Sequence, residues 1–187
     1  MNLSRRKLGL VASIATMAGA MVAGGGAVAQ ASSASAGHIT PFAGVFNPIR
    51  NVGNGLCLQP LSPVPNSAVV QEPCDGGVMQ GWQYIHDDSH GGYVFVNQAS
   101  GACLNAFIKA ENGAPIGLDT CRVVSNERFD TNTLPNVTAV ESRIGWKDNG
   151  FCLDVPGASS QPGLQMQLWG CNGTLAQRWV IGFPLNA

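Results

Sequence analysis

The sequence predicts an all-β domain built from three copies of one unit, and two observations lead to this prediction. The six cysteines of this 187-residue chain form three pairs with internal spacings of 17, 18 and 19 residues, and the first members of successive pairs lie 46 and 49 residues apart. A period of this kind is the mark of an internal repeat. Short alternating runs bounded by Gly, Pro, Asn and Ser recur throughout, whereas no helical period persists over any useful length. We expect repeats at about residues 46–92, 93–140 and 141–187.

The N-terminal segment has the pattern of a secretory signal. Arg5, Arg6 and Lys7 precede an apolar stretch of small residues that reaches about Ala23, and Ala-x-Ala cleavage patterns follow between residues 27 and 36. We expect residues 1–31 to be removed, residues 32–45 to form a flexible lead-in and the protein to be secreted. The alternative, an uncleaved membrane anchor, is disfavoured by the short apolar run and by the glycines at 24–26.

Charge excludes two classes of partner. Cleavage after residue 31 removes three of the ten basic residues and none of the eleven acidic ones, which leaves a net charge of about −4. Nucleic acids and anionic membrane surfaces both require clustered Lys and Arg. We therefore expect neither as a partner of the mature chain.

The cysteines indicate disulfides, because an exported chain folds under oxidising conditions. If each repeat is one structural unit, pairing within repeats is the economical choice, and each bond then closes a loop of fewer than about twenty residues, worth about 3 kcal/mol. The alternative is free buried thiols. The expected pairs are Cys57 with Cys74, Cys103 with Cys121, and Cys152 with Cys171.

Each unit repeats the same elements in order. An apolar residue stands eight positions before the first cysteine (Ile49, Phe95, Ile144), and a tight turn with glycine directly precedes the Cys-Leu pair (Gly55, Gly101, Gly150). Glycine tolerates the positive φ that such hairpin turns require, so strands should flank each turn. Each unit closes six and eight residues after its second cysteine, with Gln80 and Trp82, Glu127 and Phe129, and Gln177 and Trp179.

The G-x-C-L and Q-x-W signatures, paired three times at this period, resemble those of the ricin-B-type lectins, also called R-type or QxW-repeat lectins. The resemblance covers Ile49 to about Ile181. It implies a β-trefoil, with twelve strands in three four-stranded units around a pseudo-threefold axis, and it places Trp82, Phe129 and Trp179 in the core. It also implies carbohydrate binding, usually of galactose-type or xylan-type glycans.

Only the third unit carries an outward aromatic side chain. On the strand that leads into Cys171, Leu164, Met166 and Leu168 alternate with Gln165, Gln167 and Trp169. The apolar face must point toward the core, so Trp169 should point outward and offer a flat platform to the C–H face of a sugar ring. The matching residues of the other units are Glu72 and Asp119, which cannot stack on a ring.

The third unit also carries the acid. Asp154 lies two residues after the first cysteine, where the other units have Gln59 and Asn105. A carboxylate accepts charge-assisted hydrogen bonds from two neighbouring hydroxyls. The resemblance implies that Asp154 binds adjacent hydroxyls, Trp169 stacks on the ring, Gln167 reaches an exocyclic hydroxyl and Gln177 holds Asp154.

One departure from the family pattern affects this site. Ala176 stands directly before the closing glutamine, where the family usually has an asparagine that also binds the sugar. Asn172, on the loop after Cys171, could reach the same region. The alternative is a decayed third site on a scaffold that binds something else, or nothing.

Other motifs are weaker. The run His86-Asp87-Asp88-Ser89-His90 could attract a divalent metal, but its place between repeats beside two glycines favours a solvated loop, so we expect no metal and no cofactor. The sequence has no Gly-x-Ser-x-Gly elbow, zinc-protease motif or phosphate loop. It does not exclude a glycoside hydrolase site, because the two carboxylates of such a site are brought together in space and have no linear motif. The repeats occupy nearly the whole mature chain, which suggests a stand-alone module.

We therefore expect a secreted, non-catalytic carbohydrate-binding protein whose main site lies in the third repeat and whose partner is a glycan or polysaccharide. The alternative is a protein-binding trefoil, such as a toxin accessory subunit or a secreted inhibitor. In that case the loops at residues 60–65 and 122–128 would contact the partner protein.

Overall fold

The structure is a computed structural model that describes residues 44–107, 109–131, 137–138, 140–142 and 150–182. The expected signal at 1–31, all but the last two residues of the lead-in, and Ile144 lie outside the described residues. Within them, thirteen β-strands and four single 3₁₀ turns are found. No described helix is long and apolar enough to cross a membrane.

Each unit contributes four strand positions. The first unit contains β1 (Ile49–Asn51), β2 (Cys57–Pro60), β3 (Val69–Glu72) and β4 (Trp82–His86), and the second contains β5 (Tyr93–Asn97), β6 (Cys103–Ala106), β7 (Ala114–Asp119) and β8 (Arg128–Thr131). The third contains β9 (Val137–Thr138), β10 (Val140–Ser142), β11 (Phe151–Asp154), β12 (Gln167–Gly170) and β13 (Trp179–Ile181). The count exceeds the expected twelve because β9 and β10 both pair as a first strand of the third unit, β9 with β13 and β10 with β8. Strand β9 and Val140 lie before the expected repeat boundary at residue 141. A 3₁₀ turn also precedes the closing strand of each unit, at Val78–Gln80, Ser125–Glu127 and Leu175–Gln177.

The first and fourth strands of the units form a closed antiparallel ring. Strand β1 pairs with β13, β13 with β9, β10 with β8, β8 with β5, and β5 with β4. The ring closes where Asn47 and Trp82 exchange two backbone hydrogen bonds of 2.8 and 2.9 Å. A ring of this kind is a small barrel whose interior is filled by side chains.

The second and third strands form three hairpins, β2–β3, β6–β7 and β11–β12. These hairpins meet one another: β7 pairs with β12, and bridges link Ala68 to Gly117 and Val70 to Gln165. At Gly117 the approach is close enough that a Cβ atom would lie 2.7 Å from the carbonyl oxygen of Ser67. The three units are therefore joined at the centre of the hairpin layer as well as around the ring.

The core lies inside this ring and hairpin layer, and the closing aromatics occupy it. Trp82, Phe129 and Trp179 are fully buried, as predicted. Each indole N–H donates to a backbone carbonyl of its own unit, Trp82 to Leu58 at 3.0 Å and Trp179 to Leu153 at 3.1 Å. Buried tryptophan needs such a partner, and phenylalanine does not, which explains how Phe129 fills the same position.

The three disulfides join the cysteines within each repeat, as predicted, with Cα–Cα distances of 5.1, 5.0 and 5.1 Å. The glycine before each first cysteine also has the expected positive φ, 77° at Gly55, 66° at Gly101 and 73° at Gly150. In each unit, the disulfide and the glycine turn before the first cysteine together hold the base of the hairpin next to the 3₁₀ turn.

Neighbouring units are tied together by buried asparagines at the ends of first strands. Asn97 donates from Nδ2 to the carbonyl oxygens of Met79 and Gly81, at 2.8 and 3.3 Å, and so holds the 3₁₀ turn of the first unit. Asn51 does the same for the third unit, with bonds of 3.2, 3.1 and 3.2 Å to Leu175, Ala176 and Arg178. The turn that carries Ala176 and Gln177 is thus fixed by a residue of the first unit.

Candidate functional site

The third unit contains a cleft of about 540 Å³ between its hairpin and its 3₁₀ turn. One wall is the loop Val155–Ala158, and the opposite wall is formed by Asn172, Thr174 and Ala176. Asp154, Gln167 and Trp169 line the hairpin side. Strand pairing explains this arrangement, because Asp154 lies directly opposite Gln167, and Trp169 follows two residues later on the same face.

Asp154 is the charged group of the cleft, and it is only 5% exposed. Its Oδ1 accepts from Gln167 Nε2 at 2.8 Å, and its Oδ2 accepts from Gln177 Nε2 at 3.1 Å. Within the described part of the chain, no cationic side chain forms an ion pair with it. A carboxylate has about four acceptor positions, so two amide donors leave capacity for donors that enter the cleft.

Trp169 is the apolar surface of the cleft. It is 40% exposed, whereas Met166 and Leu168 on the alternate face are fully buried, as the alternation predicts. Trp82 and Trp179 lie in the core, so Trp169 is the exposed tryptophan of the described residues. An exposed indole beside a buried carboxylate combines a stacking platform with a strong acceptor.

Gln177 organises the loop behind Asp154. Besides holding the carboxylate, its Nε2 donates to Gly170 O at 3.1 Å and its Oε1 accepts from the backbone N–H of Asn172 at 2.8 Å. The side chain of Asn172 is exposed at the cleft, and its Oδ1 accepts from the N–H and hydroxyl of Thr174 at 3.0 and 2.7 Å. The sequence did not predict that Thr174, with its side-chain hydroxyl, lines the cleft.

Ala176 changes the chemistry of the cleft relative to the second unit. The matching residue there, Asn126, donates from Nδ2 to Asn105 Oδ1 at 3.0 Å, and Asn105 is itself fully buried. In the third unit a methyl group takes the place of that donor. The acceptor capacity of Asp154 is therefore not consumed by residue 176.

The other two units carry different side chains at the positions that match Asp154 and Trp169. In the second, Asp119 stands at the platform position and is paired with Arg122. In the first, Gln59 Oε1 accepts from Gln80 Nε2 at 3.0 Å, and Glu72 occupies the platform position. The first two units thus place polar or charged side chains where a flat apolar surface would be needed.

Glu127 is the counterpart of Gln80 and Gln177, but as a carboxylate it cannot donate. It is fully buried, and its Oε2 accepts from the backbone N–H groups of Arg122 and Val123 at 2.9 and 2.7 Å. Burial raises the pKa of this carboxyl, although the N–H donors act in the opposite direction. The second unit therefore holds its loop with a group whose charge is disfavoured by its surroundings.

The structure brings together all five side chains expected at the site: Asp154, Gln167, Trp169, Asn172 and Gln177. Gln167 directs its amide nitrogen at Asp154, where the resemblance had implied contact with an exocyclic hydroxyl. Sequence reasoning missed the wall Val155–Ala158, although Pro156-Gly157 marked a turn at that point.

The run His86–His90 is a turn with one buried contact. His86 Nδ1 lies 2.7 Å from Asp88 Oδ1, and both side chains are about half or more exposed. Asp87, by contrast, reaches the fully buried Arg128, whose Nε lies 2.7 Å from Asp87 Oδ2. Although burial acts to raise the pKa of Asp87, hydrogen bonds from the Ser89 N–H and His90, and the charge of Arg128, lower it. Among the described residues no group of His, Cys, Asp and Glu is suited to a metal ion.

The sequence model of the family described as "Ricin-type beta-trefoil lectin domain" matches residues 45–179. Serine protease 1 of Rarobacter faecitabidus is 32% identical over 91 residues, which are 49% of this chain and only 17% of that protein. Many solved structures share the fold. The designed threefold-symmetric protein ThreeFoil has a TM-score of 0.67 at 22% identity, over 74% of this chain and 99% of its own. The ricin B-like lectin of Macrolepiota procera, in complex with lactose, has a TM-score of 0.61 at 20% identity, over 78% of this chain and 100% of its own.

Proposed function

Because the chain belongs to the ricin-type β-trefoil lectin family, we propose that it is a non-catalytic carbohydrate-binding protein that uses the third-unit cleft as its main site. The ligands to expect are galactose-type or xylan-type glycans. The observation that carries the proposal is the buried Asp154 carboxylate, held by Gln167 and Gln177, beside the exposed Trp169.

The chemistry of this arrangement suits a sugar ring. Two adjacent hydroxyls can donate to Asp154, with each charge-assisted bond contributing about 1.5–3 kcal/mol. The apolar C–H face of the same ring can lie on Trp169, and the methyl group of Ala176 and the wall Val155–Ala158 limit the space around it. Gln167 and Gln177 keep the carboxylate in place before the ligand arrives, which lowers the cost of binding.

A single open cleft predicts weak monovalent affinity, on the order of micromolar to millimolar. Useful retention on a natural ligand would then come from a repetitive polysaccharide that offers many copies of the same residue. The macrolepiota lectin was solved with lactose, and an R-type lectin half from earthworm was solved with GalNAc. These two sugars and xylo-oligosaccharides are therefore the first ligands to test.

The test is a glycan array followed by calorimetry with the parent protein, Trp169→Ala and the matched control Glu72→Ala. Glu72 occupies the corresponding position of the first unit, two residues before the second cysteine. Loss of the stacking platform should weaken binding by at least about tenfold, while the control should bind like the parent. Equal binding by the parent and Trp169→Ala would remove the third-unit cleft from the proposal.

We also propose that residues 1–31 direct export and are removed, so that the lectin acts outside the cell. The three disulfides support this, because such bonds persist in oxidising compartments. Mass spectrometry of the protein recovered from the culture medium of its source would test the cleavage. An intact N-terminus on cell-associated protein would contradict it.

A second candidate function, protein binding, is favoured by one observation. Leu61 and Val64, on the loop between β2 and β3, are 68% and 53% exposed. Apolar side chains grouped on an exposed loop are a common feature of protein contacts. Stoichiometric co-purification of a protein partner, lost in Leu61→Ser and accompanied by an empty glycan array, would favour this function over the first.

A further inference from the structure

We propose that Gln71 and Asn54, two residues of the first unit, are positioning residues for the third-unit cleft. They hold the loop Val155–Gly163, which we call the cleft loop and whose first residues form one wall of the cleft. The inference rests on the proposed function, since it concerns how that site is kept in shape.

Gln71 stands where the other units have leucine. It lies three residues before the second cysteine, the position of Leu118 and Leu168, and all three side chains are fully buried. A buried amide in place of a leucine is unfavourable unless its polar atoms are all paired. The first unit must therefore gain something specific from the glutamine at this position.

The partners of Gln71 lie in the third unit. Its Nε2 donates to the carbonyl oxygens of Ser159 and Gln161, at 2.9 and 2.8 Å. Its backbone is also bonded to this loop, since Gly163 N donates to Gln71 O at 2.9 Å and Gln71 N donates to Leu164 O at 3.1 Å. One residue of β3 thus fixes both the middle and the far end of the cleft loop.

Asn54 adds a second contact of the same kind. Its Oδ1 accepts from Leu56 N at 2.9 Å within the hairpin turn, a role that Ser100 Oγ fills in the second unit with a 3.1 Å bond from Ala102 N. A hydroxyl is therefore sufficient for the turn. The amide nitrogen of Asn54 is additional, and it donates to Ser159 O and to Gln71 Oε1, both at 2.8 Å.

These contacts bear on the cleft because Ser159 directly follows Ala158, the last residue of the wall. At its other end the wall is held by Asp154 in β11 and by the bond from Val155 N to Ala176 O at 3.2 Å. Without the side chains of Gln71 and Asn54, the middle of the cleft loop would lose three hydrogen bonds to the first unit, two to Ser159 O and one to Gln161 O. The wall would then sample more positions, and a ligand would have to order it on binding.

The decisive variants are Gln71→Leu and Asn54→Ser. The first installs the residue that the other two units use, and the second keeps the turn acceptor while deleting only the interunit donor. Both should keep the fold and the disulfides. For a glycan that the parent protein binds, chosen from lactose, GalNAc and xylohexaose, we expect Gln71→Leu to lower affinity on the order of tenfold and Asn54→Ser by a smaller factor. Amide hydrogen exchange at residues 158–163 should become faster in both.

Asn97→Ala is the matched control, because Asn97 is an equally buried interunit clamp that holds the first unit's turn instead. It should lower the unfolding temperature and leave glycan affinity unchanged. Parent-like affinity in both test variants, or affinity lost only in proportion to thermal stability, would overturn the inference while leaving the proposed function intact. If the parent binds none of the glycans, the proposed function fails. Amide hydrogen exchange then tests by itself whether Gln71 and Asn54 hold the cleft loop, and unchanged exchange rates at residues 158–163 in both variants would refute that role.

Discussion

The most informative single substitution in the cleft is Asp154→Asn, because it removes a charge while keeping the shape of the side chain. The scaffold tolerates an amide at this position, as the buried Asn105 of the second unit demonstrates. The variant should therefore fold and leave Trp169 exposed as before. Any change in glycan binding then reports on the carboxylate itself.

The size of the effect follows from the hydrogen bonds of Asp154. Two ligand hydroxyls that donate to a carboxylate contribute about 1.5–3 kcal/mol each, against about 0.5–1.5 kcal/mol each for a neutral acceptor. In addition, Gln167 and Gln177 both donate to Asp154, and the new NH₂ group cannot accept from one of them. We expect a net loss of about 2 kcal/mol, which is roughly a thirtyfold lower affinity.

Isothermal titration calorimetry at neutral pH with the best glycan of the array measures this loss, and the unfolding temperature checks that the fold is kept. An affinity within about twofold of the parent, in a variant that unfolds at the same temperature, would refute the assignment of Asp154 as the principal hydroxyl acceptor.

Three further predictions concern stability. Glu127→Gln should stabilise the protein by about 1 kcal/mol at pH 7, because Gln80 and Gln177 fill the same position with one more donor. Burial raises the pKa of Glu127 above its usual 4.5, so the destabilisation by its charge is absent below that pH and grows as pH rises through the folded-state pKa. Thermal unfolding should therefore separate the variant from the parent at pH 7 and not at pH 4. Trp82→Phe should cost about 2 kcal/mol in denaturant unfolding, because it leaves Leu58 O without its indole donor; equal stability would contradict that role. Replacing Cys103 and Cys121 together by alanine should cost about 3 kcal/mol, measured in the same way, and a loss below about 1 kcal/mol would contradict the loop-entropy argument.

The sequence predicted what depends on periodicity. The spacing of the cysteines led to the correct disulfides, because three similar intervals of 17, 18 and 19 residues reflect three similar structural units. The alternation around Met166 and Leu168 correctly placed Trp169 outside, because a strand has only two faces. The family resemblance implied that the closing aromatics lie in the core, and they are buried there.

Features that depend on contacts between distant segments could not be predicted. Gln71 meets Ser159 and Gln161 across 88 and 90 residues, and neither hydrogen bond has a counterpart in a repeat pattern. The position of Gln71 in a series with Leu118 and Leu168 was nevertheless visible, and a polar residue in that series was a signal. Likewise, Ala176 was recognised as a departure, but its comparison with the bond from Asn126 to Asn105 required the structure.

The pairing of β1 with β13 brings the two ends of the described domain together. Ile49 is the register partner of Ile181, and Gly182 N donates to Pro48 O at 3.4 Å. A short linker could therefore join these ends, and new termini could be opened at an exposed loop such as Leu61–Asn66, giving a circular permutant with the same ring. In such a permutant Asn54 would follow the third unit closely in sequence, whereas Gln71 would stay 88 residues from Ser159. The order of the units along the chain is therefore separable from the order in which they pack.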